Sequence, residues 1–454
     1  MTSLEREPEM RFDSTAVVER LPSEKPVPRP SPLALCFRLV VRGVLLALLF
    51  LVTMPLWPIY WVARLIWGRP PNVPRVGQIR RYLKLTWTER PPPPGLPLLW
   101  RLWLTLSILR KLLVTPLWGL AWILDQALYG RALRRTPIEK PLFEISAGRS
   151  GSTQLAHYLE DDDRLIAPTF LQSLFPYLWL WRLAPRLAGR FISREAIRVK
   201  AEASLPKEFL ERHEADPFRT DTFDVALYLA HLNHLSPLLG PSVAIDDFGF
   251  AVVAPHNELL WRRDFLELVD GIARKTLLHA GPAPTGEARR FFLKGHFLCA
   301  ADALEARYPD ARFLAVIREP APRFRSAINY LRTNPFDRVL GPVPWAWLCE
   351  SVLRAELRYC EVEREFFTRE NGRRRCVLRF SEYVRDLEGA LGRVYRECLG
   401  FELPANRPIA HTDRKRTAYL VNRSLAELGI DEGELSSHLA AYLEWCRNGG
   451  QGPA

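Results

Sequence analysis

Gly148-Arg149-Ser150-Gly151-Ser152-Thr153 gathers two glycines, three hydroxyls and a guanidinium into six residues. Backbone N–H groups that converge where a helix begins bind anions, and glycines let the backbone approach one closely. Ser152 and Thr153 supply hydroxyl donors and Arg149 supplies charge, so a bound phosphate is the chemistry to expect. An ordinary Gly/Ser turn with an N-capping serine has the same letters. The nucleotide-triphosphate form of such a loop, G-x-x-x-x-G-K-[ST], is missed twice: Ser152 follows Gly151 where Lys is required, and Ser146 stands five residues before Gly151. Phe313–Ile317 is followed by Arg318, where a Mg²⁺-holding Asp is expected. These departures disfavour a metal-dependent NTPase or kinase and leave a phosphate handled by Arg and hydroxyls without a metal.

The elements that must position this loop are short apolar runs alternating with helical stretches from Pro141 onward. Leu142–Ser146 reads as a strand, then the Gly/Ser turn, then a helix through Leu159. Phe291–Lys294 and Phe313–Ile317 read as strands separated by a helix over Cys299–Tyr308. Cys376–Phe380 reads as another, followed by a helix over Tyr383–Leu399. Strands alternating with helices predict an α/β fold, a P-loop-like parallel sheet with helices on both faces.

Taken together, the residues resemble the sulfotransferases that use 3′-phosphoadenosine 5′-phosphosulfate (PAPS). In that family a [KR]-S-G-[ST]-T loop grips the 5′-phosphosulfate, here Arg149-Ser150-Gly151-Ser152-Thr153. A later strand ends in Lys-x-His, here Lys294-Gly295-His296. The next ends in an Arg followed eight positions on by a Ser, the pair that holds the 3′-phosphate, here Arg318 and Ser326. Leu378–Tyr383 resembles the family's strand-to-helix junction, and Asp310–Phe313 resembles its broad, bacterially common branch. The resemblance spans roughly residues 140–430 and implies PAPS as co-substrate, a hydroxyl or amine acceptor and no metal. The chemistry fits the residue types. An acceptor losing a proton as it attacks needs a base that titrates near neutrality, which His296 provides. Charge building on the sulfuryl oxygens and leaving phosphate needs fixed cations, which Lys294 and Arg149 provide. Each residue also has a plainer reading: His296 as a structural hydrogen-bonding residue, Lys294 as a solvated strand end, Arg318 and Ser326 as a cap and pair on a helix over Ala321–Leu331.

The sequence departs from the family in three places. Gly148 stands where many relatives have Pro. Many members of the broad branch use a carboxylate as base, which makes Asp246 and Asp247 alternatives to His296. The Arg-Lys-Gly element that closes over the 3′-phosphate is replaced at best by Arg414-Lys415-Arg416. Arg323 and Arg325 read as solvent-facing, Glu160–Asp163 as a solvated helix end, and the aromatic stretch Phe170–Trp181 as core or, second, acceptor-pocket wall.

The net charge of +12 would ordinarily suggest nucleic acid or an anionic membrane. It is local: residues 1–140 hold 21 basic and 9 acidic side chains, whereas 141–454 hold 42 of each. Gly43–Ala63 is 21 residues without a charge, long enough at about 20 residues to span a bilayer. Met54-Pro55-Leu56-Trp57-Pro58 interrupts it, and both flanks are basic, so a tilted span and a re-entrant hairpin both fit. Leu98–Leu128, with Trp100, Trp103, Trp118 and Trp122, suits a helix in the headgroup region or one packed on the catalytic body. The seven dispersed cysteines argue against a disulfide scaffold and a structural zinc site.

The expected organisation is a flexible Pro-rich tail at 1–32, a helical membrane-associated region at 33–135 and a sulfotransferase catalytic domain at 136–454. The partners are membrane lipids through 33–135 and the acceptor, with no nucleic acid. With only 9 of 63 basic residues being Lys, the composition points to a bacterial source. That places the catalytic domain on the cytoplasmic face of the inner membrane, although Asn422-Arg423-Ser424 permits a Golgi lumen. The rival reading is a membrane-anchored nucleotide- or phosphate-binding protein, or a kinase, without sulfuryl transfer.

Overall fold

The computed structural model of the chain describes residues 31–88, 97–187, 193–205, 207, 210, 213, 216–223, 255–333, 345–369, 374–404 and 423–450. Asp246, Asp247, the Arg414–Arg416 cluster and Asn422 lie outside them, as does nearly all of the expected tail. In chain order the main elements are helices α1 (Pro32–Thr53), α2 (Leu56–Trp67), α3 (Val76–Thr88), α4 (Pro97–Leu113) and α5 (Thr115–Arg135), then strand β1 (Leu142–Glu144) and helix α6 (Ser152–Glu160). Strand β2 (Leu165–Ile166), α7 (Phe170–Leu174), α8 (Leu178–Leu187), α9 (Arg194–Ala203) and α10 (Pro255–Ala280) precede β3 (Arg290–Lys294) and α11 (Ala301–Arg307). The rest is β4 (Arg312–Ile317), α12 (Pro320–Thr333), α13 (Trp345–Thr368), β5 (Arg375–Arg379) and short C-terminal helices.

The five strands form one parallel sheet in the order β2-β3-β1-β4-β5. Successive side chains in a strand point to opposite faces, and both faces here are apolar. Phe143, Leu293, Phe313 and Ala315 enter one core, with α5, α10 and α13 over it. Leu142, Phe292, Leu314, Val316 and Leu378 enter the other, with α6 and residues 387–399 over it. A parallel sheet needs that double cover. The expected strands all form, shifted by a residue or two. The expected helix over Tyr383–Leu399 divides into Phe380–Arg385, Leu387–Arg393 and Val394–Leu399, because Asp386 caps the second piece by accepting from Gly389 N–H at 2.9 Å. β2, only two residues long, was not legible as an apolar run.

The N-terminal helices divide by burial. α1 is long and apolar enough to cross a membrane, and none of that stretch is buried in the protein. The prolines act as expected: α1 ends at Thr53 and α2 starts at Leu56. α1 packs on α4, where Arg42 lies 3.1 Å from the centre of the Trp103 ring and donates to Ser107 Oγ at 3.2 Å. The Trp-rich stretch breaks at Val114, and its second half, α5, joins the catalytic body. Trp122 is buried in the sheet core. Asp125, fully buried, accepts from the N–H groups of Leu178 and Trp179 at 2.8 Å each and pairs with Lys275 Nζ at 2.9 Å. Lys275 also donates to Pro176 O at 2.8 Å and sits 3.2 Å from the Trp122 ring centre. Arg69 and Arg75 add a second tie through Asp264. α2 is held indirectly: Tyr60 packs against Gly119 of α5, where any Cβ would collide with its ring.

Candidate active site

β1, β3 and β4 lie side by side, so the chain leaving each one emerges at the same edge of the sheet. Ligands of open α/β sheets bind there, beyond the carboxyl ends of the strands. Glu144 and Lys294 are register partners across β1 and β3, and Gly295 N–H donates to Glu144 O at 3.0 Å. The parallel register of β3, β1 and β4 therefore brings the glycine loop, Lys294-Gly295-His296 and Arg318 into one place.

Residues 145–151 are held from behind by buried polar groups. Ser146 donates to Glu144 and accepts from Val316 N–H at 2.7 Å, Ser150 Oγ donates to Ala147 O at 2.7 Å, and Tyr359 OH donates to Ile145 O. The loop then needs two left-handed residues. Gly151, at φ +94°, precedes α6, and a Cβ there would lie 2.9 Å from the Phe380 ring, so both conformation and space require glycine. Arg149 holds φ +65°, which costs a non-glycine residue about 1–2 kcal/mol. Backbone strain of this kind gathers at ligand-binding sites.

That conformation directs Arg149 to its partners. Its Nε donates to Ser326 Oγ at 3.2 Å, its guanidinium lies 4.6 Å from the Tyr330 ring centre, and its carbonyl accepts from Arg318 Nη1 at 2.8 Å. Arg318 in turn stacks 4.3 Å from the centre of Phe380, the ring that also fills the space beside Gly151. Arg149 and Arg318, 169 residues apart in the chain, thus belong to one cluster.

Lys294 is 2% exposed, which disposes of the solvated strand end. It donates to Thr153 Oγ1 at 2.9 Å, Thr222 Oγ1 at 2.8 Å and Asp221 Oδ1 at 3.2 Å. Glu144 lies behind it. Burial pushes the Glu144 carboxyl up, against the opposing pull of Lys294 and His296. His296 is half-buried, and its Nε2 would lie 3.5 Å from a Cβ at Gly148, so the imidazole rests against the loop. His296 also lies within electrostatic reach of Glu356, a carboxyl raised by burial and drawn back by Arg323 and His296.

Two sequence expectations change. Arg323 is fully buried rather than solvent-facing, pairing with Glu356 at 2.9 Å and Glu363 at 3.4 Å and donating to Tyr442 OH at 3.0 Å; the facing carboxylates on α13 compensate its charge. Arg325 is exposed, as expected. In the acidic run, Asp162 is buried and paired with Arg164 at 2.8 Å, and Glu160 pairs with Arg219 at 3.1 Å. Tyr177, Leu178 and Trp181 are core residues, the first reading of that aromatic stretch. Sequence reasoning missed Asp221, Thr222, His213 and Tyr330. Only Tyr330 left a signal, lying four residues and one helical turn beyond Ser326.

No family model matches the chain, and no curated protein matches it by sequence. Solved structures do. A sulfotransferase of Mycobacterium avium superposes with a TM-score of 0.58 at 16% identity, over 85% of this chain and 95% of that one. A sulfotransferase of Mycobacterium tuberculosis H37Rv gives 0.52 at 17% identity, over 85% and 98%. The chain has the sulfotransferase fold. At such identity the likeness concerns architecture.

Proposed function

We propose that the protein transfers the sulfuryl group of PAPS to a hydroxyl or amine, at a site that needs no metal. One observation carries the reading: residues that the sequence assigns separately to the 5′-phosphosulfate, the reacting group and the 3′-phosphate converge around a single loop. Arg149, the loop N–H groups, Ser150 among them, and the hydroxyls of Ser152 and Thr153 would hold the 5′-side, the Ser150 hydroxyl bracing the loop through Ala147 O. Arg318 and Ser326 would hold the 3′-phosphate, Arg318 offering a planar fork and Ser326 a single hydroxyl. Lys294 would stabilise charge on the sulfuryl oxygens. His296, beside Gly148, would take the acceptor's proton as the new S–O or S–N bond forms and the bond to the 5′-phosphate breaks. Membranes from cells making the protein, incubated with radiolabelled PAPS, should transfer label to a lipid, glycan or protein fraction. His296→Ala should slow that transfer by about 100- to 10,000-fold, the range for a lost general base. An unchanged rate would remove His296 from the chemistry and favour phosphate binding without transfer.

Membrane attachment belongs to the same reading. Leu45, Leu48 and Val52 lie along one stripe of α1 and are 58%, 54% and 70% exposed. Basic residues on both sides suit anionic headgroups. The exposed apolar face of α1, against an α5 that sends Trp122 and Asp125 into the catalytic body, favours α1 as the main lipid contact. PAPS made in the cytosol, together with the Arg-rich bacterial composition, favours a catalytic body on the cytoplasmic face. The triple substitution of Leu45, Leu48 and Val52 by Glu should abolish flotation with phosphatidylglycerol vesicles while leaving the fold intact. Undiminished flotation would move the attachment elsewhere.

A further inference from the structure

Lys294 has its charge matched from within the protein. Among the described residues its ammonium reaches the three acceptors Thr153, Thr222 and Asp221, and an ammonium carries three protons. An anion seated on the loop gains a full contact with Lys294 only by displacing one of them. Thr153 is part of the loop and Thr222 is neutral, so Asp221 is the partner whose charge an incoming sulfonate or phosphate replaces. Asp221 is anchored on its far side: its Oδ2 accepts from His213 Nε2 at 2.9 Å, and its Oδ1 accepts from Thr222 N–H at 2.6 Å. The His213 ring meets Tyr330 edge-on, 5.9 Å between centres, and Tyr330 carries Arg149 on its face. Contacts therefore run from Arg149 through Tyr330, His213 and Asp221 to Lys294, joining the two cations of the loop. Burial would raise the Asp221 carboxyl, but the charges of His213 and Lys294 outweigh it and hold that carboxyl well below the ordinary range.

We propose that Asp221 is an internal counter-ion that occupies Lys294 until the donor's anionic group takes its place, with His213 compensating Asp221 once Lys294 turns to the donor. The inference rests on the sulfuryl-donor reading. Both are positioning residues, acting through Lys294. Their effects on anion affinity have opposite signs. Asp221→Asn keeps the shape and an acceptor oxygen but removes the competing charge, so anions bind more tightly. His213→Gln leaves the carboxylate dependent on Lys294, and because an uncompensated buried charge is costly, drawing Lys294 away becomes harder and anions bind more weakly. A purely structural role would weaken binding in both.

The test is calorimetric titration of the full chain in detergent micelles with adenosine 3′,5′-bisphosphate, the desulfated product of PAPS. Relative to wild type, Kd should fall at least about threefold in Asp221→Asn and rise at least about threefold in His213→Gln, shifts of about half a tenfold step that calorimetry resolves. If wild type binds and both variants are unchanged or move the same way, this inference is overturned alone. Absence of wild-type binding overturns the donor reading and this inference with it. Should Asp221→Asn not fold, His213→Gln decides: an unchanged Kd refutes the counter-ion role.

Discussion

Arg318→Ala should weaken binding of adenosine 3′,5′-bisphosphate by about 10- to 150-fold, the equivalent of one charge-assisted hydrogen bond at about 1.5–3 kcal/mol. Two effects add. The fork proposed for the 3′-phosphate is removed, and so is the bond from Nη1 to Arg149 O that steadies the left-handed turn of the loop. Stacking on Phe380 is lost as well, and with it part of the wall against Gly151. Arg318→Lys separates these contributions: it keeps a charge but neither the fork nor the flat face, so it should recover only a small part of the affinity. Isothermal titration of the three proteins measures this, and equal affinities would place the 3′-phosphate elsewhere.

Asp125→Ala should cost about 3–5 kcal/mol of stability, the usual penalty for stripping one partner from a buried ion pair. Lys275 would keep only Pro176 O and the Trp122 face, and the N–H groups of Leu178 and Trp179 at the start of α8 would lose their acceptor. Burial already pushes the Lys275 amine down to about 8, against the pull of Asp125, so without the carboxylate its charged form is less favoured still. Chemical denaturation in detergent would read the loss. A change within 1 kcal/mol, roughly the value of an exposed pair, would mean that α5 is not integral to the catalytic body.

This second expectation bears on what the sequence could reveal. In the Trp-rich apolar stretch Asp125 ties the helix to the core, but its partner Lys275 lies 150 residues on and no local pattern links them. The sheet was legible because mostly apolar runs of four or five residues alternating with helical stretches have few other uses. The loop was legible because few sequences place two glycines and three hydroxyls around one cation. Lys294, His296, Arg318 and Ser326 were singled out by the family resemblance, and the parallel sheet accounts for their meeting, since it brings the ends of β3 and β4 to one edge. Asp221, Thr222 and His213 come from a segment with no such frame and reach Lys294 through the tertiary fold. Arg323 was misjudged because helix periodicity shows which face a residue occupies but not that carboxylates on α13 make that face habitable for a cation.

The central claim is that the converged cluster recognises a sulfuryl donor with phosphates at both the 3′ and 5′ positions. Calorimetric titration of the purified full chain in EDTA, with adenosine 3′,5′-bisphosphate and then with ATP, tests it most directly. The account predicts saturable binding of the bisphosphate without metal, and much weaker binding of ATP. Binding of ATP that requires Mg²⁺, with none of the bisphosphate, would contradict it.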